Sequence, residues 1–336
     1  MSDQVRRTIA DVIRDHGPIS FAEFMKLALY GPGGFYERPP VGAGADAAFV
    51  TSPHVHPVFA QLLGSALLEL WDTLDRPEPF RVTEVGAGDG TLARQLLDAF
   101  SEVAVDYVAV ERSPGARKDL AAIGGVDARD ELGGDPHVVL AHELLDNLPF
   151  RRFRGAHEIL VGLDGERLVE ECAGEGEETI LPEGALVFVD MLASTLTRGY
   201  ALLIDYGGSG GSGGPAHGYR SHRVVEDFFE DPGSTDITAG VDLDLIASRA
   251  EERGLVELGN VSQHDALMRL GLEAWVRDEL SKQTQLLDER RGLEAARTWS
   301  GRSRATLLAD PAALGRARWL LLATSGLPAP SWIREP

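Results

Sequence analysis

Cysteine is almost missing: Cys172 is the single one in 336 residues. That excludes an internal disulfide and any metal centre built from several thiolates, and it fits a reducing compartment. Long apolar runs are missing too, none approaching the roughly 20 residues that span a bilayer. Met1–Gly17 mixes acids with bases and has no apolar centre, so neither a signal nor a transit peptide is expected. The expectation is a cytoplasmic protein with no membrane partner. Positive charge is scarce, 32 Lys plus Arg against 53 Asp plus Glu, a formal charge of -21. This balance opposes nucleic-acid binding, which needs cations to displace counterions from phosphates. It suits a basic partner, or simply a soluble, self-repelling surface. His54, His56, His142, His217 and His222 show no metal-ligand spacing, so no metal is expected. Of these, His142 and His222 stay open as functional candidates.

What is present is a core of ordinary size, 43% hydrophobic residues, enough for one large α/β domain or one domain with a substantial insertion. Val5, Ile9, Val12 and Ile13 recur at helical spacing until Gly17-Pro18. Ser20 and Glu23 form a capping box for a second helix through Phe24, Met25 and Leu29. Tyr30-Gly31-Pro32-Gly33-Gly34 reads as a loop. Ser52 is a candidate N-cap with Pro53 at the first helical position, ahead of an amphipathic helix carrying Val58, Phe59, Leu62, Leu63, Ala66, Leu67, Leu70 and Trp71. From Arg81 onward, strands at Arg81–Val85, Asp106–Val110, His137–Ala141 and Tyr200–Asp205 join helices around Leu92–Phe100 and Pro114–Ala122. That alternation predicts a parallel sheet covered on both faces. Glu158–Val161 and Arg167–Glu171, joined by Asp164-Gly165, read as a hairpin of an inserted lobe. Gly207–Gly214 reads as a flexible surface loop by composition. A helix near Val241–Arg253, a strand near Leu255–Leu258, further helices to about Ala296 and a last strand Trp319–Ala323 complete the pattern.

Arg81–Val85 runs straight into Gly86-Ala87-Gly88-Asp89-Gly90, and a helix begins near Thr91. Glycines let the backbone turn sharply and approach a ligand with no Cβ in the way, and the helix N-terminus behind them offers free N–H groups. A G-x-G-x-x-G dinucleotide fingerprint would need glycine at position 91, where Thr91 stands. The actual spacing, with Glu84 two residues before the first glycine, suits S-adenosylmethionine, whose methionine end carries an ammonium and no pyrophosphate. Glu111 ends the next strand, 25 residues beyond Gly86, placed to accept both ribose hydroxyls. An NAD-type oxidoreductase and a merely structural glycine turn remain the alternatives.

Ligands of open α/β sheets bind beyond the carboxyl ends of the strands. The fourth strand ends in Ala141-His142-Glu143-Leu144-Leu145-Asp146-Asn147-Leu148-Pro149, which sets Glu143 and Asp146 there. Paired acids can orient a guanidinium, which is always charged and fork-shaped, and accept the proton it must lose on methylation. Alternatively Asp146 only caps the turn and Glu143 alone meets the ligand. No Asn-Pro-Pro-Tyr or Asp-Pro-Pro-Tyr is present, against amide or adenine N-methylation. Asp205-Tyr206-Gly207 closes the next strand at the same edge, either lining the site or serving the turn.

With these runs in order, the chain resembles the MidA family, the methyltransferases related to the mitochondrial complex I assembly factor. The likeness runs from about Ile19 to Gly326. It rests on Phe24-Met25, Leu29-Tyr30-Gly31-Pro32, Gly34-Phe35-Tyr36, Phe49-Val50-Thr51-Ser52-Pro53, Glu84–Leu92, His142–Pro149 and Ile204-Asp205-Tyr206-Gly207. Tyr219-Arg220-Ser221-His222-Arg223, Asp231-Pro232-Gly233, Asp236-Ile237-Thr238, Val241-Asp242, Leu314-Gly315 and Trp319-Leu320-Leu321 follow. The resemblance implies a doubly wound, Rossmann-like class I methyltransferase sheet with an N-terminal helical segment (1–76) over the cofactor. It implies a core of 77–150 and 200–326 and an inserted α+β lobe (151–199). It implies S-adenosyl-L-methionine as cofactor and, from the mitochondrial relative, a protein arginine acceptor forming symmetric dimethylarginine. A small-molecule acceptor, a cofactor-binding assembly role with little catalysis, and a homodimer are also entertained. Thr51, Ser52, Pro53, Glu84, Gly86, Ala87, Gly88, Gly90, Glu111, Arg112, Asp130 and His142 are expected at the cofactor. Glu143, Asp146 and His222 are expected in catalysis, and Tyr30, Tyr36, Tyr206, Tyr219 and Arg220 at the substrate. The family usually carries Glu where His54 stands, Asn at His142 and a Trp near Ala128, departures that fall on cofactor and acceptor contacts.

Overall fold

The computed structural model describes residues 2–37, 51–208, 214–220, 223–225 and 227–334. Five strands, β1 (Phe80–Val85), β2 (Val105–Val110), β3 (Val126–Arg129), β4 (Val138–His142) and β5 (Tyr200–Asp205), are joined by β6 (Leu255–Ser262) and β7 (Arg318–Thr324). They form one sheet in the order β3-β2-β1-β4-β5-β7-β6. The first five pair in parallel, and β7 runs antiparallel to both of its neighbours. Val138–Ala141 and Tyr200–Ile204 are buried throughout, the near-continuous apolar reading that a strand covered on both faces requires. The strand order reverses between β1 and β4, the place where such sheets bind ligands.

The helices follow from local chemistry. Helix α1 (Ser2–His16) stops at Gly17, which takes φ +85°. Helix α2 (Phe21–Met25) is capped by Ser20, whose hydroxyl accepts the Glu23 N–H at 3.1 Å. It then widens into a π-helical turn, Lys26–Tyr30, where a continuous helix was expected. Ser52 lies inside a short helical turn, Ser52–Val55, with Thr51 at the cap position. The Ser52 hydroxyl accepts from Gln263 Nε2 at 3.1 Å, so the expected Ser52 cap is replaced by a tertiary bond. Helix α3 (Val58–Thr73) and α4 (Thr91–Ala99) cover one face of the sheet, burying Phe59, Leu63, Leu67, Leu92 and Leu96 against Val82, Leu140, Leu202 and Trp319. Helix α5 (Pro114–Leu120) follows β2. Helices α6 (Glu183–Thr195) and α7 (Leu243–Glu252) cover the other face, with Phe188, Val189, Leu192 and Ile246 on Val139, Ala201, Leu203 and Leu322. Of the 151–199 segment, α6 therefore lies on the sheet.

The remainder of that segment belongs to a second core. Leu160–Asp164 pairs with Arg167–Glu171, a hairpin starting two residues later than the sequence suggested, and with Ile19–Ser20 of the N-terminal segment. Val5, Ile9, Phe21, Phe24 and Leu29 pack there on Phe150, Val161, Leu168, Phe228, Phe229 and Ile237. Buried Arg152 pins the layers together. Its guanidinium lies 4.6 Å above the Phe21 ring and pairs with Glu170 at 2.5 Å and Glu178 at 2.7 Å. Gly207–Gly208, expected in a loop, pairs in parallel with Val241–Asp242. Phe49, Val50, Ser221 and His222 lie outside the described residues.

Candidate active site

A cleft of about 2000 Å³ runs along the carboxyl ends of β1, β2, β4 and β5, beneath the N-terminal segment. Its floor is the glycine turn after β1. Gly86, Gly88 and Gly90 all take positive φ (+77°, +54° and +73°), a conformation that side chains disfavour. A Cβ on Gly86 would sit 3.0 Å from Leu144 Cδ1 and one on Gly90 2.5 Å from Ile123 Cδ1, whereas one on Gly88 would meet nothing within 4 Å. Gly88 therefore presents bare backbone to the cleft. Its N–H donates to Glu111 Oε2 at 3.0 Å, while Glu111 Oε1 accepts the Ser113 N–H at 2.9 Å. A carboxylate offers about four lone-pair sites, so Glu111 keeps one on each oxygen for a pair of hydroxyls.

Glu84, at the end of β1, lines the same cleft but is buried and accepts the Tyr107 hydroxyl at 2.7 Å. Burial pushes its pKa up to about 8. Asp89 ties the turn together. Its Oδ1 accepts the Thr91 N–H at 2.9 Å, and its Oδ2 lies 3.0 Å from Thr91 Oγ1 and 3.1 Å from His54 Nε2. Burial opposes the charge on Asp89, but these bonds outweigh it and hold the pKa near 2. His54 Nδ1 lies 2.8 Å from Thr51 Oγ1, so a chain of side chains clips the Thr51–His54 turn onto the glycine loop.

The acid loop after β4 is built by its neighbour. Asp205, buried at the end of β5, receives the N–H groups of Leu144 (3.0 Å), Leu145 (2.6 Å) and Asp146 (3.4 Å) on one oxygen. Its other oxygen receives the Tyr206 N–H at 2.7 Å. Asp205 thus serves the turn, the structural role weighed for Asp-Tyr-Gly. Gly207 is tight as well: a Cβ there would lie 2.3 Å from the Val241 carbonyl oxygen. Glu143 takes φ +52°, uncommon for a residue with a side chain. Burial, then Asp146, raises its pKa to about 8 against a backbone bond from Ser52. Asp146 Oδ2 accepts the Thr238 hydroxyl at 2.8 Å, and Oδ1 is buried without a partner among the described residues. Burial also raises the proton affinity of Asp146. The His142 side chain is only 7% exposed, its Nε2 has no partner among the described residues, and desolvation with nearby His54 drops its pKa to about 3.

An aromatic wall faces these acids. Tyr30 and Tyr36 stack at 5.3 Å, and the Arg112 guanidinium lies 5.3 Å from the Tyr30 ring. Tyr30 donates to the Asn147 carbonyl at 2.9 Å and Tyr36 to Asp236 at 2.8 Å. Asp236 also accepts from Asn147 Nδ2, and burial lifts its pKa to about 7. Across the cleft, Arg316 sits 5.4 Å from the Tyr206 ring.

Residues 62–172 and 165–261 match the family described as "Putative S-adenosyl-L-methionine-dependent methyltransferase". The chain belongs to this methyltransferase family. The mitochondrial protein arginine methyltransferase NDUFAF7 of Danio rerio is 26% identical over 334 residues, covering 82% of this chain and 78% of that protein. The Homo sapiens protein of that name is 25% identical over 332 residues, 81% and 74% of the two chains. A crystal structure from Burkholderia thailandensis bound to S-adenosyl-homocysteine aligns with a TM-score of 0.80 at 26% identity, covering 99% of this chain and 93% of that one. The methyltransferase sheet expected from the sequence is present, and S-adenosyl-L-methionine is the cofactor.

The cleft fits that cofactor: bare backbone at Gly88 and spare acceptor sites on Glu111 converge on one space. Of the expected cofactor residues, Thr51, Pro53, Glu84, Gly86, Ala87, Gly88, Glu111, Arg112, Asp130 and His142 line it. Ser52 and Gly90 are not among the lining residues; they brace the turns from behind. Glu143, Asp146, Tyr30, Tyr36, Tyr206 and Tyr219 also line the cleft. Arg220 does not. It pairs with Glu230 at 2.9 Å and Asp231 at 3.5 Å beside a small surface pocket. Asp89, Asn147, Asp236, Thr238 and Arg316 were not singled out as site residues in the sequence. Asp89, Asn147, Asp236 and Thr238 stood within the family runs Glu84–Leu92, His142–Pro149 and Asp236-Ile237-Thr238, the available signal.

Proposed function

We propose that the enzyme methylates an arginine side chain of a protein, with Glu143 and Asp146 receiving the guanidinium. The observation that carries this reading is the acid pair itself. Two half-buried carboxyl groups of raised proton affinity stand on one loop, one with an oxygen unpartnered among the described residues, beside the glycine turn. An arginine acceptor brings a charged fork of N–H donors, which favours the ionised form of both acids. S-adenosylmethionine, when bound, supplies an electrophilic methyl group. Glu143 and Asp146 then fix the acceptor nitrogen in line, and Glu143 takes up the proton it loses. The names of the relatives, protein arginine methyltransferases, support this acceptor. The N-terminal segment, whose Tyr30 and Tyr36 reach Asn147 and Asp236, is proposed as the cover of the site. The protein's charge of -21 suits a basic peptide.

The test is E143Q and D146N, each assayed for transfer to an arginine peptide and for S-adenosylhomocysteine affinity by calorimetry. Transfer should fall about a hundredfold or more while affinity changes little. Unchanged transfer in both variants would refute the assignment.

A further inference from the structure

His142 ends β4, and Glu143 follows it. Consecutive residues of a strand point to opposite faces, and the left-handed backbone at Glu143 (φ +52°) breaks that alternation. The two side chains therefore meet, with His142 Nε2 3.5 Å from Glu143 Oε1, just beyond hydrogen-bonding distance. Among the described residues the imidazole has no other partner at Nε2, although its side chain is only 7% exposed and lines the cleft. Its ring rests on Phe59, with centroids 5.2 Å apart, and Phe59 rests on Trp319 at 6.1 Å. The nitrogen is thus held from behind by apolar packing and aimed at one carboxyl group.

We propose that His142 is the positioning residue for Glu143, its Nε2–H donating to the carboxylate when Glu143 is ionised by a bound acceptor. This rests on the acceptor reading above only for its catalytic consequence. The pairing itself is a property of the chain. Three features support it. Burial keeps the imidazole neutral, so it can supply a donor without adding charge. Among the described residues, the charged form of Glu143 is otherwise favoured by the Ser52 backbone bond, against burial and Asp146. Among the described residues, the groups that face the pair are His54 from the Ser52–Val55 turn, Asp146 on the same loop, and Asp205 and Tyr206 at the end of β5. None of these is a cation in contact with Glu143.

The experiment is carbon-detected NMR titration of glutamate-labelled enzyme, with the Glu143 signal assigned by its loss in E143Q. In H142F the pKa of Glu143 should rise by about one unit or more, since a bond to a charged group has been removed. In H142N, which restores an N–H donor, it should return towards the wild-type value. A pKa that falls in H142F shows that the imidazole instead accepts from the protonated acid and overturns the proposal, as does one that stays put. If H142F does not fold, H142A carries the same test. In parallel, kcat for an arginine peptide, measured at saturating S-adenosylmethionine, should drop at least tenfold in H142F and recover in H142N. A shifted titration with no peptide methylated by the wild type leaves the pair standing and removes the arginine acceptor instead.

Discussion

Alanine at Gly88 and alanine at Gly90 separate two tasks of the glycine turn. Both positions take positive φ, +54° and +73°, so each alanine carries about 1–2 kcal/mol of left-handed strain. At Gly90 the new methyl also lies 2.5 Å from Ile123 Cδ1 and 2.8 Å from Leu120 Cδ2. Both contacts are far inside van der Waals distance, and overpacking of this kind adds about 1–3 kcal/mol. At Gly88 nothing lies within 4 Å, so strain is the whole stability cost and the methyl projects into the cleft. Denaturant unfolding should therefore show G90A losing about 2–5 kcal/mol and G88A about 1–2 kcal/mol. Calorimetric titration with S-adenosylhomocysteine should reverse the ranking, with G88A losing at least about tenfold in affinity. Wild-type affinity in G88A, or G90A no less stable than G88A, would refute this division.

Three further outcomes follow from the same contacts. D205N replaces one acceptor oxygen with an amide donor in the group that receives four backbone N–H bonds; urea unfolding should show a loss of about 2–3 kcal/mol, with methyl transfer falling alongside. R152M leaves Glu178 without its cation and Glu170 with only Arg154, 3.6 Å away. Because both acids reach solvent, the loss by the same assay should be about 2–4 kcal/mol, below that of a fully buried pair. Glu84, with its pKa raised by burial to about 8, holds a proton in the folded state that the unfolded chain releases above its ordinary value near 4.5. Its contribution is full below about pH 4.5 and is lost as pH rises towards 8, at about 1.4 kcal/mol per pH unit. Unfolding measured across that range should be less steep in E84Q by that amount. An equal slope would show that Glu84 is already ionised.

Strong local chemistry was legible in the sequence. β1, β2, β4, β5 and β7 fall within one or two residues of their expected ends, because continuous apolar runs leave a buried strand few other places. β3 was not read: its four residues alternate half-buried with exposed, too short for a periodicity. The second core joins α1 and α2 to segments near residues 150–168 and 228–239, and nothing local couples stretches so far apart. The acid loop was visible as Glu143 and Asp146. That Asp205 holds its backbone, and that Asp236 reaches Tyr36 from another strand, are tertiary facts. The Ser52 cap failed because Gln263, more than two hundred residues away, takes its hydroxyl.

The most direct measurement incubates the purified enzyme with cell extract and methyl-labelled S-adenosylmethionine, then identifies the labelled residue by mass spectrometry. The account predicts methylarginine in a protein, lost with E143Q and D146N although both variants still bind S-adenosylhomocysteine. Label confined to a small molecule or to another residue type, or label that persists in both variants, would contradict it.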